Sequence, residues 1–275
     1  PPSEAAQTSI ESWDGTSWAT SPATLATART RAGTGRNTAS GTWIAGGIGP
    51  GGGGEGFDAT EIYEKSTNVI TAAAWATGGS LTAGARRGVA SGKNSQTLTA
   101  GLVFGGGGSP YSGLGVKTEE YDGTSFTAGG DLNTYRYTLG GAGSQTAGLG
   151  FGGYVYPPSV STNATEEYDG SSWTSVNNMA DARQAMASFG TQTAAIAATG
   201  YPRGSPAVST TLSYDGTNWT TLSSPANVNT ARTGAAASGT QTAGLATGGN
   251  TSPYKQTEEW DGSSWTNQNS TASEH

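Results

Sequence analysis

The chain has 275 residues, of which 45 are Gly, while Leu, Ile, Val and Phe together number only 31. So small an aliphatic share points to disorder only alongside a high net charge, and here the net charge is −7 with 12% charged residues. An apolar run long enough to span a bilayer is missing, Cys is missing, and the single His is His275; this excludes a transmembrane helix, disulfides, a thiolate metal site and a His-based triad.

Eight Trp and eleven Tyr still call for a packed interior. In chain order, one motif recurs six times: an acidic or small residue, an aromatic, Asp-Gly, two small polar residues, then Trp or Phe. The copies run from Glu11 to Trp18, from Glu61 with a late Trp at Trp75, from Glu120 to Phe126, Glu167 to Trp173, Ser213 to Trp219 and Glu259 to Trp265. Their leading aromatics are Trp13, Tyr63, Tyr121, Tyr168, Tyr214 and Trp260, spaced by 50, 58, 47, 46 and 46 residues. Five copies of a second module lie between them: Arg29 to Gly47, Arg87 to Gly106, Arg136 to Gly153, Arg183 to Gly200 and Arg232 to Gly249. Each has an Arg, a stretch of small residues, Gln-Thr-Ala or a relative, and a run ending in Gly-Gly or Thr-Gly.

Both modules read as β. Leu149 and Phe151, like Leu102 and Phe104, fall on alternate positions, the period of a strand. Asp-Gly between strand-forming residues reads as a two-residue hairpin turn. Each unit therefore offers four short strands, here called a and b in the Arg module and c and d in the Asp-Gly module. Four antiparallel strands every 45–50 residues is the pattern of a propeller blade.

The order Gly-Gly, variable stretch, Tyr-Asp, Trp, with an Arg opening the next unit, resembles the kelch-type repeat. That resemblance implies an all-β propeller of four-stranded blades, in one domain covering 1–275. The blade-like units are 1–28 (partial), 29–85, 86–135, 136–182, 183–231 and 232–275. Six c–d modules stand against five a–b modules, so one blade is incomplete. Five blades with an extra hairpin, or six with one a–b pair supplied from upstream of Pro1 or from a neighbouring chain, both fit; the well-formed Glu11-to-Trp18 hairpin wants a sheet to join, which favours six. The wording of the repeats is also similar to repeat proteins of marine bacteriophage virions and tails.

The repeated aromatics Trp13, Trp18, Tyr121, Tyr168, Trp173, Tyr214, Trp219, Trp260 and Trp265 read as inter-blade wedges. Arg136, Arg183 and Arg232, with Arg29 and Arg87, recur once per unit and read as structural clamps. Glu120/Asp122, Glu167/Asp169 and Glu259/Asp261 could be glycosidase carboxylates. Recurrence in every unit instead assigns Asp to its turn and Glu to a neighbouring Arg. The Gly51–Gly54 run lacks the helix and Lys of a phosphate loop. Loops after each Gly-Gly diverge and carry Tyr, and function sits on loops held by rigid scaffolds. The binding candidates are Tyr111, Tyr154, Tyr156, Tyr201, Arg203, Tyr254 and Lys255.

These residues are expected to make a non-enzymatic virion or extracellular surface module without cofactor or metal. Its expected partners are a cell-surface glycan or other virion proteins, or further copies of itself in an oligomer. Nucleic acid and membrane insertion are not expected. The alternatives are a multivalent propeller lectin and a polysaccharide-degrading enzyme, for which Glu55 and Asp58 are the only loop carboxylates at hand.

Overall fold

The computed structural model describes residues 8–13, 16–21, 23–29, 33–38, 41–47, 49, 60–64, 74–84, 90–92, 100–107, 113–250 and 254–271. Their regular structure is β throughout, apart from one 3-10 turn at Gly113–Val116. The chain opens with a hairpin, β1 (Glu11–Trp13) and β2 (Trp18–Thr20). Sheet one follows with β3 (Gly33–Thr38), β4 (Gly41–Ala45), β5 (Thr60–Glu64) and β6 (Ala74–Thr77). Sheet two has β7 (Ala90–Gly92), β8 (Gly101–Phe104), β9 (Thr118–Tyr121) and β10 (Phe126–Ala128). Sheet three has β11 (Gly140–Gly143) and β12 (Gly148–Phe151), a small inserted hairpin of β13 (Tyr154–Val155) and β14 (Val160–Ser161), then β15 (Thr165–Tyr168) and β16 (Trp173–Val176). Sheet four has β17 (Ala187–Gly190), β18 (Ala195–Ala198), β19 (Thr211–Tyr214) and β20 (Trp219–Thr221). Sheet five has β21 (Ala236–Thr240), β22 (Ala243–Thr247), β23 (Thr257–Trp260) and β24 (Trp265–Gln268). All five sheets are antiparallel meanders in the order a-b-c-d.

The first strands β3, β7, β11, β17 and β21 touch in succession, so the sheets stack side by side with strand a innermost. A meander puts a–b and c–d turns at one end of the stack and b–c and d–a loops at the other. In sheets three and four both inner strands are buried along their whole length.

Close stacking explains the glycine. Leu102 and Phe104 of sheet two reach into sheet three, where a Cβ on Gly148 would lie 2.6 Å from Leu102 and one on Gly150 2.9 Å from Phe104. Sheet four moves its large residue from strand b to strand a, carrying Ala198 where sheet three has Phe151, and Phe189 where sheet three has Ala142. Phe189 then packs onto Gly244 of sheet five. Aromatic rings complete each seam: Phe104 against Trp173 at 4.7 Å, Phe151 against Trp219 at 4.8 Å and Phe189 against Trp265 at 6.1 Å. Such pairs contribute roughly 0.5–1.5 kcal/mol beyond their burial.

The Asp-Gly turn differs from the two-residue hairpin expected. Tyr168 pairs with Trp173, leaving four residues in the loop. The reason lies in the Asp side chain: Asp169 Oδ1 accepts from the amides of Ser171 and Ser172, both at 2.8 Å, and so closes a longer loop. Asp122, Asp215 and Asp261 do the same.

Candidate functional site: the loop face of sheets three and four

The repeated charged residues are consumed by the scaffold. Arg136 is fully buried; its guanidinium donates to Glu166 at 2.7 Å and to the carbonyls of Ala164, Gly152 and Gly150. One planar fork thus ties strand b to strand c, a task that suits Arg and not Lys. Arg29 pairs with Glu61 and Arg232 with Glu258 in the same way. Burial lowers the Arg136 pKa to about 10, against the opposing pull of Glu166, so the guanidinium stays charged at neutral pH. Sheet four has Leu212 where the others have this Glu, and Arg183 turns to Asp181, which it grips through both oxygens at 2.7 and 2.5 Å.

The Glu assigned from sequence to the Arg is therefore displaced by one residue. Glu120 and Glu167 accept from the tyrosine of the following sheet instead: Tyr168 Oη donates to Glu120 at 2.6 Å and Tyr214 Oη to Glu167 at 2.8 Å. Burial and the adjacent carboxylate both raise the pKa of these phenols, burial being the larger cause. Glu259 takes a bond from Gln268. The tryptophans anchor backwards: Trp173, Trp219 and Trp265 donate Nε1–H to Thr118, Thr165 and Thr211 of the preceding sheet at 2.8–3.0 Å. The Gln of Gln-Thr-Ala reaches back too, from Gln192 to the Tyr168 carbonyl and from Gln241 to that of Tyr214, both at 2.8 Å.

The loop candidates divide. Tyr154 and Tyr201 come together with Arg203 on the b–c and d–a face. Tyr154 pairs with Tyr137, and Tyr201 with Gln184, in matching backbone bridges that join each b–c loop to a d–a loop. Contrary to an exposed recognition role, Tyr154 is buried: its ring packs edge-on against Tyr137 at 4.9 Å and carries the Arg203 guanidinium 5.0 Å above it. Arg203 is itself exposed, and its backbone amide donates to Ser161 Oγ at 2.8 Å. Tyr156 and Val160, on the tip of the inserted hairpin, are exposed to 36% and 44%. Tyr254 and Lys255 sit half-buried in the corresponding loop of sheet five, where the Lys255 carbonyl accepts from Thr271. Tyr111, Arg87, Glu55, Asp58 and the Gly51–Gly54 run lie outside the described residues.

The fold of the chain is similar to that of a protein titled "Structure of YjhT", at a TM-score of 0.70 over 96% of this chain and 98% of that one. The fold is a β-propeller. Sequence identity between the two is 13%, so the likeness concerns the fold alone. No family profile matches the chain, and no curated protein does.

Sequence reasoning missed Tyr137, Ser161 and Gln184. Gln184 follows Arg183 directly and accepts from Thr138 Oγ1 at 2.9 Å, locking the loops of sheets three and four together. Tyr137 likewise follows Arg136 directly. The signal was the position after the repeated Arg, which holds Thr30 and Thr233 in the first and last modules but the larger Tyr and Gln in sheets three and four. Among the described residues no group of three or more His, Cys, Asp or Glu is placed to hold a metal, and no helix is long and apolar enough to cross a membrane.

Proposed function

We propose that the protein is a non-enzymatic surface module that binds a glycan with the loop face of sheets three and four. Its propeller fold suits a binding or structural role, and the likeness of its repeats to those of phage virion proteins supports a virion surface as the setting, with host-cell glycan as ligand. The observation that carries this reading is the inserted β13–β14 hairpin. It is held by the Tyr137–Tyr154 bridge, by Arg203 over the Tyr154 ring and by Ser161, yet it presents Tyr156 and Val160 to solvent. A rigid platform with an aromatic face and a guanidinium beside it offers stacking to a sugar ring and hydrogen bonds to its hydroxyls at low entropic cost. The repeated carboxylates support a non-enzymatic role, since Asp122, Asp169, Asp215 and Asp261 are engaged in turns, Glu61, Glu166 and Glu258 in Arg pairs, Glu120 and Glu167 in inter-sheet bonds and Glu259 in a bond to the neighbouring strand.

The test is a glycan array and a host-cell binding assay with the folded protein, alongside Tyr156→Ala and Arg203→Ala. Binding by the parent that weakens at least tenfold in either variant, with unchanged melting temperatures, is the expected result. A parent that binds no glycan and no cell overturns it.

A further inference from the structure

Charge is divided between the two ends of the stack. The c–d turns carry Asp122, Asp169, Asp215 and Asp261, all exposed. The b–c loops of sheets two to five, residues 105–117, 152–164, 199–210 and 248–256, hold Lys117, Arg203 and Lys255 and not one acid, in a chain with 20 acidic residues against 13 Lys and Arg. The d–a loops between these sheets bring two acids to the same end, Asp131 and Asp181, and each is taken by a cation. Lys117 reaches Asp131 at 2.7 Å, and Arg183 grips Asp181.

Among the described residues one guanidinium is left over. Arg29, Arg136, Arg183 and Arg232 are buried, each against a carboxylate. Arg203 is exposed; among the described residues no carboxylate pairs with it and no group accepts from its guanidinium. It is nevertheless held in place. Arg203 stands second in a turn closed by the Ser205 amide, which donates to the Pro202 carbonyl at 3.0 Å, with Gly204 third at φ 80°. Its own amide donates to Ser161 Oγ of the inserted hairpin, and its guanidinium lies over the Tyr154 ring. The ring attracts the cation through its face. The N–H fork lies in the guanidinium plane and is left for an acceptor beside it, and its geometry matches the two oxygens of a carboxylate. A chain of net charge −7 has no general attraction for anions, so an anion bound at this end is bound by the local groups.

We infer that Arg203 binds a carboxylate, and that the ligand of this face is an acidic glycan, an oligosaccharide carrying uronic-acid residues. The inference rests on the glycan reading above and adds the charge of the ligand. Tyr156, on the same hairpin that anchors Arg203, offers its exposed ring to a sugar face, while the Arg203 fork takes the carboxylate of that sugar or of its neighbour in the chain. A neutral sugar, with a CH2OH group in place of the carboxylate, gives the fork one hydroxyl oxygen and no charge. The site therefore separates the two by a charge-assisted pair of hydrogen bonds that only the acid can accept. The turn and the Tyr154 ring hold the guanidinium before the ligand arrives, which reduces the entropic cost of that selection.

The experiment prints uronic-acid oligosaccharides beside their carboxyl-reduced, neutral counterparts and probes both with the full chain and with Arg203→Ala. Expected is binding of a uronate at least tenfold tighter than of its reduced counterpart, weakening as salt is raised. Arg203→Ala is expected to lose that preference at an unchanged melting temperature. Equal or tighter binding of the neutral member by the parent overturns the inference and leaves the glycan reading standing, and so does a preference that survives Arg203→Ala. Sulfated oligosaccharides bound in place of uronates also overturn it, because the ligand's charge would then come from sulfate and not from a carboxylate. A parent that binds no glycan of any kind overturns the glycan reading itself, and this inference with it.

Discussion

At the residue scale, the c-strand motif sorts its side chains by alternation. In Thr165-Glu166-Glu167-Tyr168, the residues Thr165 and Glu167 meet Trp219 and Tyr214 of the next sheet. Tyr168 reaches the sheet before, and Glu166 meets the Arg of its own sheet. A period of two dictates this split, and it accounts for the substitutions. Ser213 stands where the next sheet presents Trp260, which has no hydroxyl to donate and bonds instead to the Gln241 carbonyl. Ile62 precedes the sheet of Tyr121, whose hydroxyl turns to the Gly123 carbonyl. The same logic exposes one defect. Thr60 is buried with its hydroxyl unpaired, because the next sheet carries Phe126 where sheets three, four and five carry a Trp that donates to this Thr. Phe126→Trp is expected to supply that donor and raise stability by about 1 kcal/mol. Urea unfolding of the two proteins measures it; a loss of stability would mean that the seam cannot hold the larger ring.

At the scale of the element, sheet four shows how the buried Arg can be satisfied in two ways. Glu166→Leu copies Leu212 into sheet three and leaves Arg136 without a carboxylate, which is expected to cost about 3–5 kcal/mol. Adding Thr134→Asp copies Asp181 as well, and is expected to recover at least half of that loss. A double mutant no more stable than the single one would show that the Asp needs more of the sheet-four loop than its position. The turns respond to pH. Hydrogen bonds from the Ser125 amide and its neighbours hold Asp122 down to about 2, and those from the Ser172 amide and its neighbours hold Asp169 to about 2. Asp215 and Asp261 are lowered by the same kind of amide contact. A carboxylate whose folded pKa lies below its unfolded value of about 3.9 stabilises the fold fully above that value. The contribution fades as pH falls from about 4 towards 2. Melting temperature is therefore expected to hold from pH 7 to about pH 5 and to drop below pH 4, and Asp169→Asn is expected to flatten that drop.

The repeats, the four-strand unit and the shortage of aliphatic mass were legible in sequence because period-two patterning and glycine spacing are local. Which Glu meets the Arg was also local, but hidden: adjacent acids differ only in the face they occupy. The burial of Tyr154 and the lock between Thr138 and Gln184 were not legible. They arise where loops from two sheets meet, and no spacing along one chain segment encodes that meeting.

At the scale of the whole molecule, each sheet is stabilised by its two neighbours, as in a repeat array, so the sheets cannot be equally stable. Sheets three and four are flanked on both sides, and their inner strands are buried throughout. Sheet five has sheet four on one side and, among the described residues, the β1–β2 hairpin on the other, which meets its outer end through Asn269. Local opening takes least free energy where the fewest apolar contacts must be broken. Hydrogen exchange followed by mass spectrometry is therefore expected to show β21 and β22 exchanging before β17 and β18, although both pairs have complete ladders between their two strands. Equal protection would show that backbone pairing within a sheet outweighs packing between sheets. The predicted order says the reverse: in a protein this poor in aliphatic side chains, the seams carry the stability, and Gly, Ala, Tyr and Trp are placed to let the sheets close on one another.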